Sequence, residues 1–336
     1  MSFPQGHALL IGVGTHQHCP WLDLPSTAAE AEAVAKVLQD GQACGYPAAQ
    51  VRLVTRAGAT KAEILAALAD LAGRVGSGDT VTLFFSGHGA LGSDDSYYLA
   101  GHDVEMEANR IKAGTGISEE DLLRRLQAID AERVLVLFNA CHGGTIAPAR
   151  LDAAAVAATA LTTSNPPDDT VAALLGTGTE RIVVAACRAG QRSHTGSGPL
   201  SLFAQALVDG LRGSGAAAAG GYISAFGLYA HLYASVAGQA RTLLNEDQEP
   251  ELSVLRGARS FAVGPDKGAG TARQSPSTEP ATEPLPQGTA VREVDPAESA
   301  RSLAERIGAG EESGDQDGPD LGLLDDSDFV IGNIRK

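Results

Sequence analysis

No run of basic residues occurs anywhere in the 336-residue chain, and its formal net charge is −16. Nucleic-acid binding depends on neutralising phosphates with clustered Lys and Arg, so a nucleic-acid partner is not expected. Long hydrophobic runs are missing as well. The nearest approach is the Ala/Gly/Tyr-rich stretch 214–237, which Ser224, His231 and several glycines interrupt; it reads as an amphipathic helix, not a membrane span. No basic segment leads into an apolar run and a cleavage site, so neither secretion nor a membrane partner is expected. Cysteine is scarce. Cys19, Cys44, Cys141 and Cys187 are scattered and read as reduced thiols of a cytoplasmic protein.

What the chain does contain, up to about residue 264, is apolar runs alternating with helical periodicity. That pattern predicts an α/β fold: a doubly wound, mostly parallel sheet flanked by helices on both faces. Strands are expected at His7–Val13, Val51–Thr55, Thr80–Phe85, Arg133–Phe138 and Arg181–Ala186, with Cys187 structural at the end of the last. Helices are expected at 26–39, 60–75, 118–129, 199–212 and 222–240, and "ELSVLRGARSFAV" as a final strand or hairpin. Ser118 followed by Asp121 marks one helix start, a serine N-cap with a carboxylate three residues on.

Two stretches break the rhythm. "TTSNPPDDT" at 162–170 reads as an exposed loop. From Pro265 to Pro296 the composition turns to Pro, Glu, Thr, Ser and Gly, which cannot repay the entropy of ordering and predicts a disordered tail. Residues 265–336 hold 7 Lys/Arg against 15 Asp/Glu, half of the net negative charge in about a fifth of the chain. Within this tail, Asp295-Pro296-Ala297-Glu298 predicts a short helix at 296–307, and an apolar motif returns at 321–334. A partner recruited through that motif, or docking of the motif on the chain itself, are both readings of it.

Chemistry concentrates at two strand ends. His88 lies three residues beyond Phe85 and Cys141 three beyond Phe138, so both belong to the carboxyl edge of the sheet, where α/β folds place their ligands. A cysteine attacks best as its thiolate, and a nearby imidazole can take its proton. Glycines flank both residues: Gly87 and Gly89, Gly143 and Gly144. Backbone N–H groups of Gly89 and Cys141 could then form an oxyanion hole. The loop after the first strand, "GVGTHQHC", is not a phosphate-cradling G-x-G-x-x-G turn, which disfavours a nucleotide-binding or redox module.

The motifs "HALLIGVG" (7–14), "FFSGHG" (84–89), "NACHGG" (139–144), "VVAACRAGQ" (183–191) and "QEPELSV" (248–254) resemble those of the caspase-like cysteine peptidases, specifically the bacterial metacaspase-like members. They come in the family's order, with His88 placed 53 positions before Cys141. The resemblance implies a caspase-like fold and a cysteine endopeptidase acting on proteins or peptides through His88 and Cys141. It places Glu30 where relatives often carry an S1-pocket aspartate, and Asn139 where they commonly carry another. Both positions depart from that pattern; a lean towards Arg or Lys at P1 then rests on Glu30. Animal members use arginines in this pocket, which keeps Arg188 and Arg192 in view. The resemblance further implies activation by cleavage in a loop within 145–180, with an upstream activating protease as a partner, in a bacterial signalling or defence pathway. A catalytically silent scaffold acting through the tail is the rival reading.

No cofactor is specified. His16-Gln17-His18-Cys19 contains zinc-type ligands, but no second pair follows at zinc-site spacing, and a polar active-site loop is the better reading. Asp94-Asp95 could hold calcium, as some relatives do elsewhere in the fold, though two acids in a glycine turn are ordinarily just solvated.

Overall fold

The computed structural model describes residues 2–140, 144–146, 161–196, 198–215, 218–219, 221–266 and 283–308. Seven strands form the central sheet: β1 (Gly6–Gly12), β2 (Val51–Thr55), β3 (Thr80–Ser86), β7 (Arg133–Asn139), β10 (Glu180–Ala185), β11 (Glu251–Leu255) and β12 (Ala290–Val294). Their spatial order is β12-β11-β10-β7-β3-β1-β2. Five strands run parallel; β11 pairs antiparallel with β10, and β12 runs parallel to β11. A smaller sheet beside the carboxyl edge joins β4 (Gly89–Leu91), β5 (Tyr97–Leu99), β6 (Ile117–Ser118), β8 (Gly144–Ile146) and β9 (Leu161–Thr163).

Alternation along the strands sorts the core into two layers. Ala8, Leu10, Phe84, Leu135, Leu137, Ile182 and Val184 face α1 (Pro25–Gln39), α5 (Leu202–Leu211) and α6 (Ala225–Gln239). Leu9, Ile11, Val81, Leu83, Phe85, Val134, Val136 and Val183 face α2 (Lys61–Ala72), α3 (Glu119–Gln127), α4 (Asp168–Leu175) and α7 (Pro296–Gly308). Ser118 caps α3 as its spacing predicts, accepting the Asp121 N–H at 3.1 Å. Among the described residues, no helix is long and apolar enough to cross a membrane.

Three expectations need correction. The first is the boundary at residue 264 and the disorder assigned from Pro265 on. Strand β12 completes the central sheet, with Ala290 and Val294 buried, and α7 lays Leu303 and Ile307 against the second core layer. The Ser299 hydroxyl donates to the Ala172 carbonyl at 2.5 Å, and Asp295 accepts the Ala297 N–H at 2.9 Å, capping α7. A composition window averages over 30 residues, whereas "AVREV" needs only five to pair with an open strand edge, where backbone hydrogen bonds do not depend on side-chain type. The folded unit therefore runs to Gly308; residues 267–282 and 309–336, with the apolar motif 321–334, lie outside the described residues.

Second, 162–170 is not an exposed loop. Thr163 ends β9, the Asn165 side chain donates to the Cys187 carbonyl at 2.5 Å, and Asp168 opens α4. Paired prolines fix an extended approach to the helix and the two acids suit its first turn, so residues that read as loop-formers serve as a helix start. Of the supposed processing loop 145–180, residues 147–160 lie outside the described residues. Third, of the strand or hairpin expected in "ELSVLRGARSFAV" the strand is found and the hairpin is not: Glu251–Leu255 joins the central sheet, while Ala262–Pro265 pairs with Tyr222–Ser224 elsewhere.

Candidate active site

Adjacent strands β3 and β7 run in register, Phe85 opposite Phe138 and Ser86 opposite Asn139. Two chain segments thus leave one sheet edge side by side, one reaching His88 and the other leading to Cys141 two residues after its strand ends. Cys141 itself lies outside the described residues.

His88 is fully buried, and its Nε2 lies 2.8 Å from the Leu22 carbonyl oxygen. A carbonyl only accepts, so Nε2 carries the proton and the basic nitrogen of the neutral ring is Nδ1. Leu22 belongs to the 13–24 loop, which is closed by Leu24 N–H to Gly14 carbonyl at 3.1 Å and docked by Gln17 N–H to His102 carbonyl at 2.7 Å. The same loop buries His16, whose ring centroid is 5.5 Å from that of His88 with 33° between planes. Burial pushes the His16 pKa down to about 4 against the pull of Asp23, so the ring is neutral near pH 7. Beyond His88, Gly89 begins β4, and a methyl group there would overlap the Tyr97 hydroxyl and come within 2.9 Å of the Ser164 carbonyl. Only glycine permits this approach.

A second cluster lies at the same edge. Glu30, in α1, is fully buried. Its Oε2 accepts from Ser86 Oγ at 2.6 Å and Asn139 Nδ2 at 2.8 Å, and its Oε1 accepts the Ser201 N–H at 2.9 Å. Asn139 Nδ2 also donates to Ser201 Oγ at 3.0 Å, while Asn139 Oδ1 accepts from Ser193 Oγ at 2.7 Å. The chain extends outward: Gln248 Nε2 reaches Ser193 Oγ at 3.4 Å and the Ala186 carbonyl at 3.0 Å. Ser201 is the N-cap of α5, so the helix's positive end faces the carboxylate. No cation pairs with Glu30 among the described residues; neutral donors and a helix end offset its desolvation. Gly12 lets α1 come this close, since a methyl there would meet the Ala28 Cα at 2.9 Å.

The sequence reading put His88 and Cys141 at one sheet edge, and the family resemblance put Glu30 and Asn139 in a substrate pocket; in the structure Glu30 bonds to Ser86 and Asn139, the last residues of β3 and β7, and His88 follows β3, while Cys141 lies outside the described residues. Sequence reasoning missed Ser86, Ser193, Ser201 and Gln248 as partners of Glu30 and Asn139, since single serines carry no pattern; the carbonyl of Leu22 leaves no trace in side-chain identity at all. Arg188 does not reach Glu30 but pairs with Glu249 at 3.2 Å, and Arg192 is exposed. His16 and Cys19 part company: His16 meets His88, while the Cys19 thiol donates to the Val104 carbonyl at 3.8 Å. Asp94 is engaged by Tyr98 Oη at 2.7 Å and the Ser96 N–H at 3.1 Å, and Asp95 by Arg110. Among the described residues, no three His, Cys, Asp or Glu side chains converge as metal ligands.

The family model for the caspase domain matches residues 5–259. The chain belongs to the caspase-domain family of peptidases. The caspase fold is visible in solved structures as well. A protein from Geobacter sulfurreducens is 19% identical, the match covering 74% of this chain and 92% of that one with a TM-score of 0.50. Caspase-1 from Spodoptera frugiperda is 15% identical, covering 80% of this chain and 93% of that one with a TM-score of 0.50. No curated protein matches the chain in sequence. Membership of the caspase-domain family makes cysteine peptidase the class of activity, with proteins or peptides as substrates. Strand β12 and helix α7 fall outside the matched caspase domain and extend it.

Proposed function

We propose that this caspase domain is a cysteine endopeptidase in which Cys141 is the nucleophile and His88 its general base. The observation that carries the reading is the Leu22 carbonyl on His88 Nε2, which turns the basic nitrogen into Nδ1 at the sheet edge from which the Cys141 segment departs. His88 Nδ1 takes the thiol proton, and the Cys141 thiolate attacks the scissile carbonyl. Backbone N–H groups of Gly89 and Cys141 receive the oxyanion. Collapse expels the amine, which takes the proton from His88; water, deprotonated by His88, then hydrolyses the thioester and regenerates the thiol.

Glu30 gives this peptidase a lean towards Arg or Lys at P1. Supporting it is a buried carboxylate with no cationic partner among the described residues, oriented by Ser86, Asn139 and Ser201, whose charge attracts a substrate cation at a distance and not by contact. Asn139 orients Glu30 instead of adding a second charge. Processing within 145–180, which includes Arg150, activates the enzyme, and the apolar motif at 321–334 recruits a partner; a bacterial signalling or defence pathway is the setting the family resemblance suggests.

The test uses fluorogenic peptides differing only at P1, with wild type, Cys141→Ala and His88→Ala. Hydrolysis of Arg and Lys substrates abolished in both variants is expected. Unchanged turnover in Cys141→Ala would falsify the peptidase assignment, and a preference for P1 Asp would overturn the role given to Glu30.

A further inference from the structure

His16 is 2% exposed, and among the described residues its Nε2 has no hydrogen-bond partner and its Nδ1, 3.4 Å from Asp23 Oδ1, makes no hydrogen bond either. The Asp23 oxygen is taken by the His16 backbone N–H at 2.7 Å. Folding gains nothing by burying two unmatched ring nitrogens, each of which forfeits its hydration. What the ring does have is a neighbour: the His88 imidazole, at a centroid distance inside the range over which an aromatic face attracts a cation.

We infer that His16 is a positioning residue for His88, presenting a neutral aromatic ring that holds the catalytic imidazole and stabilises it while it carries the thiol proton. The inference rests on the peptidase reading above. Loop 13–24 grips His88 twice, the Leu22 carbonyl on the ring edge and the His16 ring beside it. The charged and titratable groups around His16 are Asp23 from its own loop, His102 from the segment after β5, and His88 itself. A second cation there would repel the imidazolium, and deep burial keeps His16 from becoming one.

The experiment compares His16→Ala, His16→Phe and Cys141→Ala on the intact chain, with kcat and KM measured separately and folding checked by thermal melting. His16→Ala should lower kcat about tenfold and leave KM within about twofold, because the ring acts on the proton acceptor and not on substrate binding. His16→Phe restores the flat neutral face and should recover kcat to within about threefold of wild type. A folded His16→Ala with wild-type kcat overturns the inference, as does a folded His16→Phe as slow as His16→Ala, which would show that a ring nitrogen is needed. If His16→Ala does not fold, His16→Phe alone decides. Cys141→Ala separates the two layers: residual turnover in it removes the peptidase reading itself, whereas its inactivity beside an unaffected His16→Ala removes only the role of His16.

Discussion

Two clusters share the carboxyl edge of one sheet and are built on opposite terms. Around Glu30 the polar atoms are matched: three donors meet the carboxylate, the Asn139 amide uses both its ends, and Gln248 ties the outer serine to the next loop. Around His88 the Leu22 carbonyl meets Nε2, and beside the ring lies a second imidazole, His16, whose nitrogens have no hydrogen-bond partner among the described residues. A saturated cluster cannot rearrange without losing several charge-assisted hydrogen bonds, so its charge is held still. The general-base role proposed for His88 asks instead for a ring that can change its protonation state.

The largest break expected in this comparison is on the His88 side. His88→Ala should cost at least about a thousandfold in kcat/KM while shifting the melting temperature little, because the residue works as one unit with its nucleophile. Burst-phase and steady-state assays alongside melting curves check both halves.

On the saturated side the same comparison predicts losses in specificity and stability. Glu30→Gln keeps the volume and removes the charge, so kcat/KM for Arg substrates should fall on the order of tenfold to a hundredfold more than for uncharged ones. Asn139→Asp would instead set two carboxylates in contact across the present 2.8 Å bond. One must then hold a proton, its pKa raised in the fold, so the variant should lose about 2–3 kcal/mol at pH 7–8 and recover towards wild type as the pH falls to the ordinary carboxylate range. Denaturant melts at several pH values decide it; equal destabilisation at all pH values would point to packing instead.

A smaller effect tests the neutrality of His16. Its pKa is pushed down to about 4 from 6.5, so the unfolded chain binds the proton first and the fold loses stability as the pH drops from about 6.5 towards 4. His16→Phe should flatten that part of the stability curve by about 2–3 kcal/mol. Last, Arg306→Ala removes the ion pairs to buried Glu119 and exposed Asp169, leaves the Glu119 carboxylate without its cation and should cost about 1–3 kcal/mol, while Leu303→Ala beneath them should cost about 2 kcal/mol or more. A Leu303→Ala variant as stable as wild type would detach α7 from the core.

The central strands were legible in the sequence to within a residue, because apolar runs such as "TVTLFFS" and "RVLVLFN" have no environment but a sheet covered on both faces. The edge strand β12 was not, because an edge pairs through its backbone and its side chains are half exposed. The site divides the same way. His88 drew notice as a reactive group just past a strand end, a placement rare enough to carry a signal, whereas Glu30 in α1 and Asn139 drew notice only through the family resemblance. Their meaning was decided by the fold alone: the carbonyl that sets the His88 tautomer, the serines that saturate Glu30, and the stacking of His16 join residues 54 to 171 positions apart or use backbone atoms that every residue shares. By itself the sequence determined which side chains could do chemistry, because that follows from covalent structure. Which of them hold a proton, a charge or a neighbour was settled only by tertiary structure, because hydrogen-bond partners and desolvation are properties of packing.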